Sequence, residues 1–202
     1  SKRIALCCDG TGQQFQENKT NPLRLHYCLH NYQNEKGEPE QVSFYDPGVG
    51  TFDPEGRDET EGFFGGLLSS FSEKVAGGAL GYGVERNIID GYRFLMQTYQ
   101  DGDSIFIFGF SRGAFTAHAL AGLIAKCGIL GAHNDNLIPY AMDIYFQRDN
   151  DDIATDFRET MSRTAKVHFL GLWDSVKSLG SRHRDNYFYK KDISSVCENG
   201  RH

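Results

Sequence analysis

One short segment constrains the fold of this chain more than any other: a serine between two glycines, directly between an apolar strand and a helix. The strand is predicted over 104–108, and the segment that follows is Gly109-Phe110-Ser111-Arg112-Gly113. Small and apolar residues continue from there, and they predict a helix over 112–127. The order strand, G-x-S-x-G, helix is typical of a strained turn that projects the serine from a sheet.

Such a turn supports nucleophilic chemistry. The N-terminus of the following helix offers free N–H groups and partial positive charge, which favour an oxyanion beside the serine. Ser111 is therefore predicted to be a nucleophile. The alternative is a structural turn that binds a phosphate at the helix N-terminus. It is the weaker interpretation, because neither a P-loop lysine nor a G-x-G-x-x-G pattern accompanies the serine.

Strands and helices alternate along the rest of the chain. Such units imply a mostly parallel central sheet with helices on both faces, so we expect an α/β, α/β-hydrolase-like fold. Residues 1–202 are interpreted as a single catalytic domain that lacks its C-terminal end, with a glycine-rich insertion over 51–83 that holds one helix over 64–75. The other predicted elements are strands over 3–8, 42–45 and 166–172, a helix starting near Asn21 and Pro22, a helix over 84–99, and a polar helical region over 137–163.

Composition excludes several classes of function. Lys and Arg number 21 against 27 Asp and Glu, for a net charge of -6, and no basic cluster exists to bind nucleic acid. The five cysteines lack C-x-x-C spacing, so neither a disulfide framework nor a zinc site is predicted. The apolar stretches fall short of the roughly 20 residues of a membrane span, and no signal peptide is recognised. We expect a protein that is cytoplasmic or exported by a signal-independent route.

A nucleophilic serine requires a histidine base and an acid that orients it. In the α/β-hydrolase order the acid and then the base follow the serine along the chain. Asp174 is the predicted acid because it comes just past the strand predicted over 166–172. Its alternative role is to cap the next turn through Ser175. The downstream histidines are His183, which stands among charged residues, and His202, the last residue.

The first predicted strand ends in Asp-Gly-Thr-Gly at 9–12. This segment is similar to the D-x-D-G-T loop of phosphatases, but Cys7 occupies the place of the nucleophilic aspartate, which argues against a phosphoaspartate mechanism. We interpret the segment as an oxyanion loop, in which N–H groups at Thr11 and Gly12 act together with the N–H of Arg112. A turn whose aspartate accepts local backbone N–H bonds is an alternative compatible with this role.

A series of motifs follows in a fixed order over nearly the whole chain. The motifs are Cys8-Asp9-Gly10-Thr11, Thr20-Asn21, Tyr45-Asp46-Pro47-Gly48-Val49-Gly50-Thr51, Gly81-Tyr82-Gly83, Tyr92-Arg93-Phe94-Leu95, Gly102-Asp103, Phe108-Gly109-Phe110-Ser111-Arg112-Gly113-Ala114-Phe115-Thr116-Ala117, Ala121-Gly122 and Leu172-Trp173-Asp174-Ser175-Val176. Together they resemble one family, the α/β-hydrolases that include the catalytic domains of type VI secretion phospholipase effectors.

The resemblance implies a Ser-Asp-His triad that hydrolyses esters, in the effectors those of membrane phospholipids. Carried over by motif, Ser111 is the nucleophile, Asp174 the acid and His202 the base. His202 matches the histidine that opens a short His-Ala-Leu-Ala-like segment in the family, the rest of which lies beyond this chain. Gly12 stands where the family usually has Trp. The implied partners are a lipid or other ester substrate, a membrane surface, and a secretion or immunity protein.

Two interpretations remain open at the level of sequence. The chain is either a serine esterase or lipase, most specifically a phospholipase that needs no metal or organic cofactor, or a non-catalytic binding derivative of the same fold. An apolar cluster in the insertion predicts either a lipid-contacting lid or an ordinary docking helix. Its members are Phe63, Phe64, Leu67, Leu68 and Phe71.

Overall fold

The computed structural model describes residues 1–10, 19–29, 32–48, 79–147 and 150–173. These residues form a central sheet with helices packed around it. The strands are β1 (Arg3–Cys8), β2 (Tyr32–Gln33), β3 (Pro39–Asp46), β4 (Ser104–Phe110), β5 (Ile129–Leu130), β6 (Ser162–Arg163) and β7 (Val167–Trp173). The helices are α1 (Asn21–Cys28), α2 (Ala79–Thr98), α3 (Arg112–Cys127), α4 (Ile138–Phe146) and α5 (Asp151–Met161), with a short 3-10 helix (Asp135–Leu137) before α4.

The central sheet has the strand order β2-β3-β1-β4-β7. β1 pairs in parallel with β3 and β4, and β4 pairs in parallel with β7, while β2 joins the edge antiparallel to β3. Cys8 at the end of β1 lies opposite Asp46 on one side and Gly109 on the other. The carboxyl ends of four parallel strands therefore meet at one edge, where open α/β sheets place their functional groups. The predicted, mostly parallel sheet is confirmed.

β1 is buried on both of its faces. Ile4 and Leu6 are fully buried in the main apolar cluster, which also holds residues of α2, α3 and α4. Ala5 and Cys7 point the other way, because side chains alternate along a strand, and they too are buried. Helix α1 packs against β1 and β3 and buries Leu23. This double burial explains why β1 is a continuous apolar run in the sequence.

Helix α2 begins at Ala79, whereas the sequence predicts it from Val84. Gly81 and Gly83 each lower helix propensity by about 1 kcal/mol, which favours a loop in a local prediction. The helix nevertheless includes them, and from Val84 onward it buries an apolar face, which is the main source of helical stability in proteins. Residues 79–83 thus belong to α2 and not to a loop. The predicted helix over 64–75 and the apolar cluster lie outside the described residues.

The predicted polar helical region is two helices, and the first of them is not polar. The residues of α4 are largely buried, and the helix packs against α3. Its single aspartate, Asp143, is half-buried, while the charged residues of the region concentrate in α5. Among the described helices, none combines the length and the apolar character that a bilayer crossing requires.

Candidate active site

Ser111 lies at the turn between β4 and α3, as predicted. Its backbone has φ 55° and ψ -119°, and it is the only non-glycine residue with a positive φ in the described part of the chain. The Ser111 N–H donates a hydrogen bond to the carbonyl of Trp173 in β7 at 3.0 Å. A backbone in such a sparsely populated region costs about 1–3 kcal/mol and persists only where its surroundings hold it. Strained strand-to-helix turns of this kind display the nucleophile in α/β-hydrolases.

The two glycines of the motif are explained by backbone packing. A Cβ atom on Gly109 would lie 2.4 Å from the carbonyl oxygen of Gly113, and a Cβ atom on Gly113 would lie 2.3 Å from the carbonyl oxygen of Cys8. Both distances are far below van der Waals contact, and the opposing atoms are backbone atoms that cannot rotate away. Only glycine at both positions lets α3 begin this close to the ends of β1 and β4.

Gly10, two residues after the end of β1, lies directly against Ser111. A Cβ atom on Gly10 would be 3.2 Å from the Cβ atom of Ser111. Gly48, with φ +83°, packs on the other side, where a Cβ atom would be 2.1 Å from the carbonyl oxygen of Gly10. Ser111 is also the N-cap residue of α3, yet its side chain makes no capping hydrogen bond. The hydroxyl is therefore not engaged in closing the helix.

Asp9 occupies the centre of this edge and is 1% exposed. Its Oδ1 accepts the N–H of Gly10 at 2.8 Å, the local turn that the sequence suggests. Its Oδ2 accepts the hydroxyls of Tyr45, at 2.8 Å, and of Thr20, the N-cap of α1. Sequence reasoning missed these two partners. Both belong to the motifs of the family resemblance, but no spacing within one sequence pairs residues so far apart.

Burial keeps the two cysteines at the end of β1 in their protonated forms. Burial, with a smaller contribution from the charge of Asp9, raises the pKa of Cys7 to about 12. Burial likewise raises the pKa of Cys8 well above its ordinary value, and the charges of Asp46, Cys7 and Asp9 add to the effect. Because the thiolate is the reactive form, both side chains remain protonated and inert near neutral pH.

Two buried carboxyl groups of the fold have pKa values raised above those of exposed carboxyl groups. Burial raises the pKa of Asp46 to about 6, opposed by the N–H of Gly48, which donates to Oδ1 at 2.9 Å. Burial also raises the pKa of Glu85 in α2 to about 8. One oxygen of each group, Asp46 Oδ2 and Glu85 Oε2, is buried without a hydrogen-bond partner. These groups make the stability of the fold depend on pH.

The structure places some of the predicted site residues and leaves others out. Ser111 and Arg112, the first residue of α3, lie at the carboxyl edge of the sheet. The other predicted site residues, and the alternative base, lie outside the described residues: Thr11, Gly12, Asp174, His183 and His202. Asp174 nevertheless follows directly after Trp173, whose carbonyl accepts the N–H of Ser111. No cluster of three or more His, Cys, Asp or Glu suited to a metal occurs among the described residues.

The parallel sheet and the strained serine turn define an α/β-hydrolase-like domain. The chain belongs to the family of type VI secretion (T6SS) phospholipase effector Tle1-like catalytic domains, whose family model matches residues 2–202. The family resemblance seen in the sequence is thereby confirmed, and it supports a phospholipase-like role at the level of the family.

One curated relative is an uncharacterised protein of Saccharomyces cerevisiae (strain ATCC 204508 / S288c), YEL023C. It is 34% identical over 214 residues, and the alignment covers 100% of this chain and 30% of the yeast protein. The chain thus spans less than a third of the length of that relative. No solved structure matches the chain significantly.

Proposed function

We propose that this chain is a serine hydrolase that cleaves carboxylic esters, with phospholipids as its substrates. The observation that carries the proposal is the backbone of Ser111, which is held at φ 55° between β4 and the N-terminus of α3. This geometry presents a serine hydroxyl at the carboxyl edge of the sheet. The family match supports phospholipids as the substrate class, because the family is one of phospholipase effectors.

In the proposed reaction, the Oγ atom of Ser111 attacks the acyl carbonyl carbon while His202 takes the hydroxyl proton. Asp174 orients the imidazole and stabilises its charged form. Backbone N–H groups at Arg112 and in the Thr11 and Gly12 loop hold the oxyanion. The tetrahedral intermediate collapses, and the imidazolium returns the proton to the departing alcohol. Water, activated by the same base, then hydrolyses the acyl-enzyme and releases the fatty acid.

Two contacts and one helix position support the proposed assignment of oxyanion donors and acid. The peptide at Gly10, directly before Thr11, packs on Ser111, with 3.2 Å between the Ser111 Cβ atom and a Cβ atom built on Gly10. Arg112 opens α3, and the first N–H groups of a helix have no partner within it. The peptide of Trp173, directly before Asp174, is hydrogen-bonded to Ser111. Each proposed group is thus one or two residues along the chain from a contact with the nucleophile.

The decisive experiment compares Ser111→Ala with Ser104→Ala, a serine at the opposite end of the same strand. Release of fatty acid from phosphatidylcholine and phosphatidylethanolamine vesicles and hydrolysis of a chromogenic short-chain ester are both measured. We expect Ser111→Ala to reduce turnover by roughly 10⁴-fold or more, since removing a triad member loses most of the catalysis. Ser104→Ala should retain wild-type turnover. Undiminished hydrolysis in Ser111→Ala would overturn the proposal.

The assignment of the base is tested by His202→Ala and His183→Ala in the same assays. His202 is proposed because it matches the family motif and follows Asp174 in the chain. Loss of turnover only in the His183 variant transfers the role to His183. Binding of vesicles without hydrolysis by the wild-type chain would favour the second candidate function, a lipid-binding derivative of the fold.

The proposed substrate also indicates which surfaces and molecules the protein binds. A phospholipid is cleaved at a membrane surface, so the protein contacts that surface at least transiently. Because the family is one of secreted effectors, we also propose a secretion or immunity protein as a binding partner. Pull-downs with the wild-type chain and with Ser111→Ala as baits test whether such a partner binds and whether its binding depends on the Ser111 hydroxyl.

A further inference from the structure

Asp9 is a buried carboxylate bound by three separate parts of the chain. The N–H of Gly10 comes from the loop after β1, the hydroxyl of Thr20 from the N-cap of α1, and the hydroxyl of Tyr45 from the end of β3. The N–H of Asp9 itself donates to the carbonyl of Asp46 at 2.8 Å, which continues the pairing of β1 with β3 beyond the last residue of β1. Asp9 is therefore fixed at both its backbone and its side chain.

The peptide between Asp9 and Gly10 is confined by glycines on two sides. A Cβ atom on Gly113 would lie 2.4 Å from the carbonyl oxygen of Asp9, and a Cβ atom on Gly48 would lie 2.7 Å from the same oxygen. Two backbones thus approach this peptide as closely as glycine allows. Because backbone atoms are hard to displace, the peptide has little freedom to move once the Asp9 side chain holds it.

We propose that Asp9 is a positioning residue for Ser111: its carboxylate holds Gly10 against the turn that carries the serine. This inference rests on the proposed hydrolase function. Asp9 is not offered as a catalytic residue, because its two oxygens are engaged by donors of the protein. Its effect is to reduce the motion of the loop relative to the nucleophile, and positioning of this kind contributes strongly to rate.

The donor set suits a carboxylate better than any neutral side chain. Three donors converge on two acceptor oxygens, and hydrogen bonds to an ionised group are stronger than neutral ones. Burial raises the pKa of Tyr45, and its hydrogen bond to Asp9 raises it further, so the phenol stays protonated and continues to donate. An asparagine would keep an acceptor for Gly10 but place an amide N–H₂ where two hydroxyls now donate.

The test compares Asp9→Ala and Asp9→Asn with Asp103→Ala. Asp103 is a matched control, because its carboxylate also accepts several bonds, from the backbone N–H of Lys2 at 2.7 Å, from Lys2 Nζ and from the N–H of Gln100 at 2.9 Å. It precedes β4, whereas Ser111 follows β4, so the two ends are about 25 Å apart along an extended strand. Ester hydrolysis, thermal unfolding and amide hydrogen exchange are measured for each protein.

We expect Asp9→Ala to lower kcat about 100-fold with KM changed by less than about threefold, the pattern of a lost transition-state interaction. Asp9→Asn should recover about tenfold of that loss, because it restores the acceptor for Gly10. Asp103→Ala should keep kcat within about twofold of wild type although its unfolding temperature falls as much as that of Asp9→Ala. Equal kcat values in the two alanine variants at equal loss of stability would overturn the proposal.

Hydrogen exchange separates this inference from the proposed function. Asp9→Ala should speed exchange at Gly10 and over 109–113, and Asp103→Ala should not. A wild-type chain without hydrolase activity would refute the proposed function while the exchange result still decides whether Asp9 holds the loop. Unchanged exchange at Gly10 in Asp9→Ala refutes the positioning role regardless of activity.

Discussion

Replacing Gly113 by alanine tests the packing that presents Ser111. The new Cβ atom would lie 2.3 Å from the carbonyl oxygen of Cys8 and 2.4 Å from that of Asp9, against an ordinary contact of at least 3.4 Å. The start of α3 must therefore move away from the end of β1 by about 1 Å. That end cannot follow, because Cys8 is paired with strands on both sides.

The energetic balance favours destabilisation with a larger loss of activity. Overpacking against fixed backbone costs about 1–3 kcal/mol, while alanine in a helix gains about 1 kcal/mol over glycine, so a net loss of about 0–2 kcal/mol is expected. A displacement of about 1 Å between Ser111 and the loop at Gly10 should reduce kcat about 100-fold. Urea unfolding measures the first effect, and hydrolysis of a chromogenic ester measures the second.

Gly122→Ala is the matched control in the same helix. Its Cβ atom would lie 2.6 Å from the hydroxyl of Tyr145, so it also overpacks, but it lies about 16 Å along the helix from Ser111. We expect a comparable loss of stability with unchanged kcat. If Gly113→Ala keeps full activity, the claim that this packing governs the position of Ser111 is wrong.

Three further predictions concern charge and burial. The raised pKa of Glu85 means that the folded state holds the proton of this carboxyl more tightly than the unfolded state does. The free energy of unfolding should therefore fall as pH rises from about 4.5 towards about 8, by roughly 5 kcal/mol at most. Urea unfolding at pH 5, 7 and 9 measures this slope, and Glu85→Gln should lose most of it. Arg163 donates to the carbonyls of Tyr99, Met96 and Leu130, so Arg163→Lys should lower the free energy of unfolding by about 2 kcal/mol, and a thermal melt equal to wild type would contradict this. Native alkylation followed by mass spectrometry should modify exposed Cys28 and spare the buried thiols among the described residues, Cys7, Cys8 and Cys127.

The parts of the fold that sequence predicted well are those encoded by neighbouring residues. β4, the turn at Ser111 and α3 follow one another within one segment, and their signals are local. β1 was equally predictable because burial on both faces leaves a continuous apolar run. The start of α2 differs from the prediction because Gly81 and Gly83 lower the local helix propensity. The two-residue strand β2 has no local signal, because it exists only through pairing with β3.

The candidate site divides along the same line. The strained turn at Ser111 could be predicted from its motif, because such a turn needs a glycine two residues away on each side. The hydrogen bonds of Asp9 could not, because Thr20 and Tyr45 are 11 and 36 residues away in the chain. Chain order and one conserved geometry of hydrolases suggest candidates for acid and base, but contacts between distant residues require coordinates.

The conformation of Ser111 bears on whether the domain is an enzyme or a binding derivative. A turn that only connected β4 to α3 would be less strained with glycine at this position, because glycine adopts positive φ without steric cost. Here glycine stands on both sides of the turn, at Gly109 and Gly113, while a serine occupies the strained position at a cost of about 1–3 kcal/mol. Its hydroxyl does not recover that cost by capping α3. A purely structural turn does not explain this arrangement, and it therefore supports the proposal that Ser111 is a nucleophile.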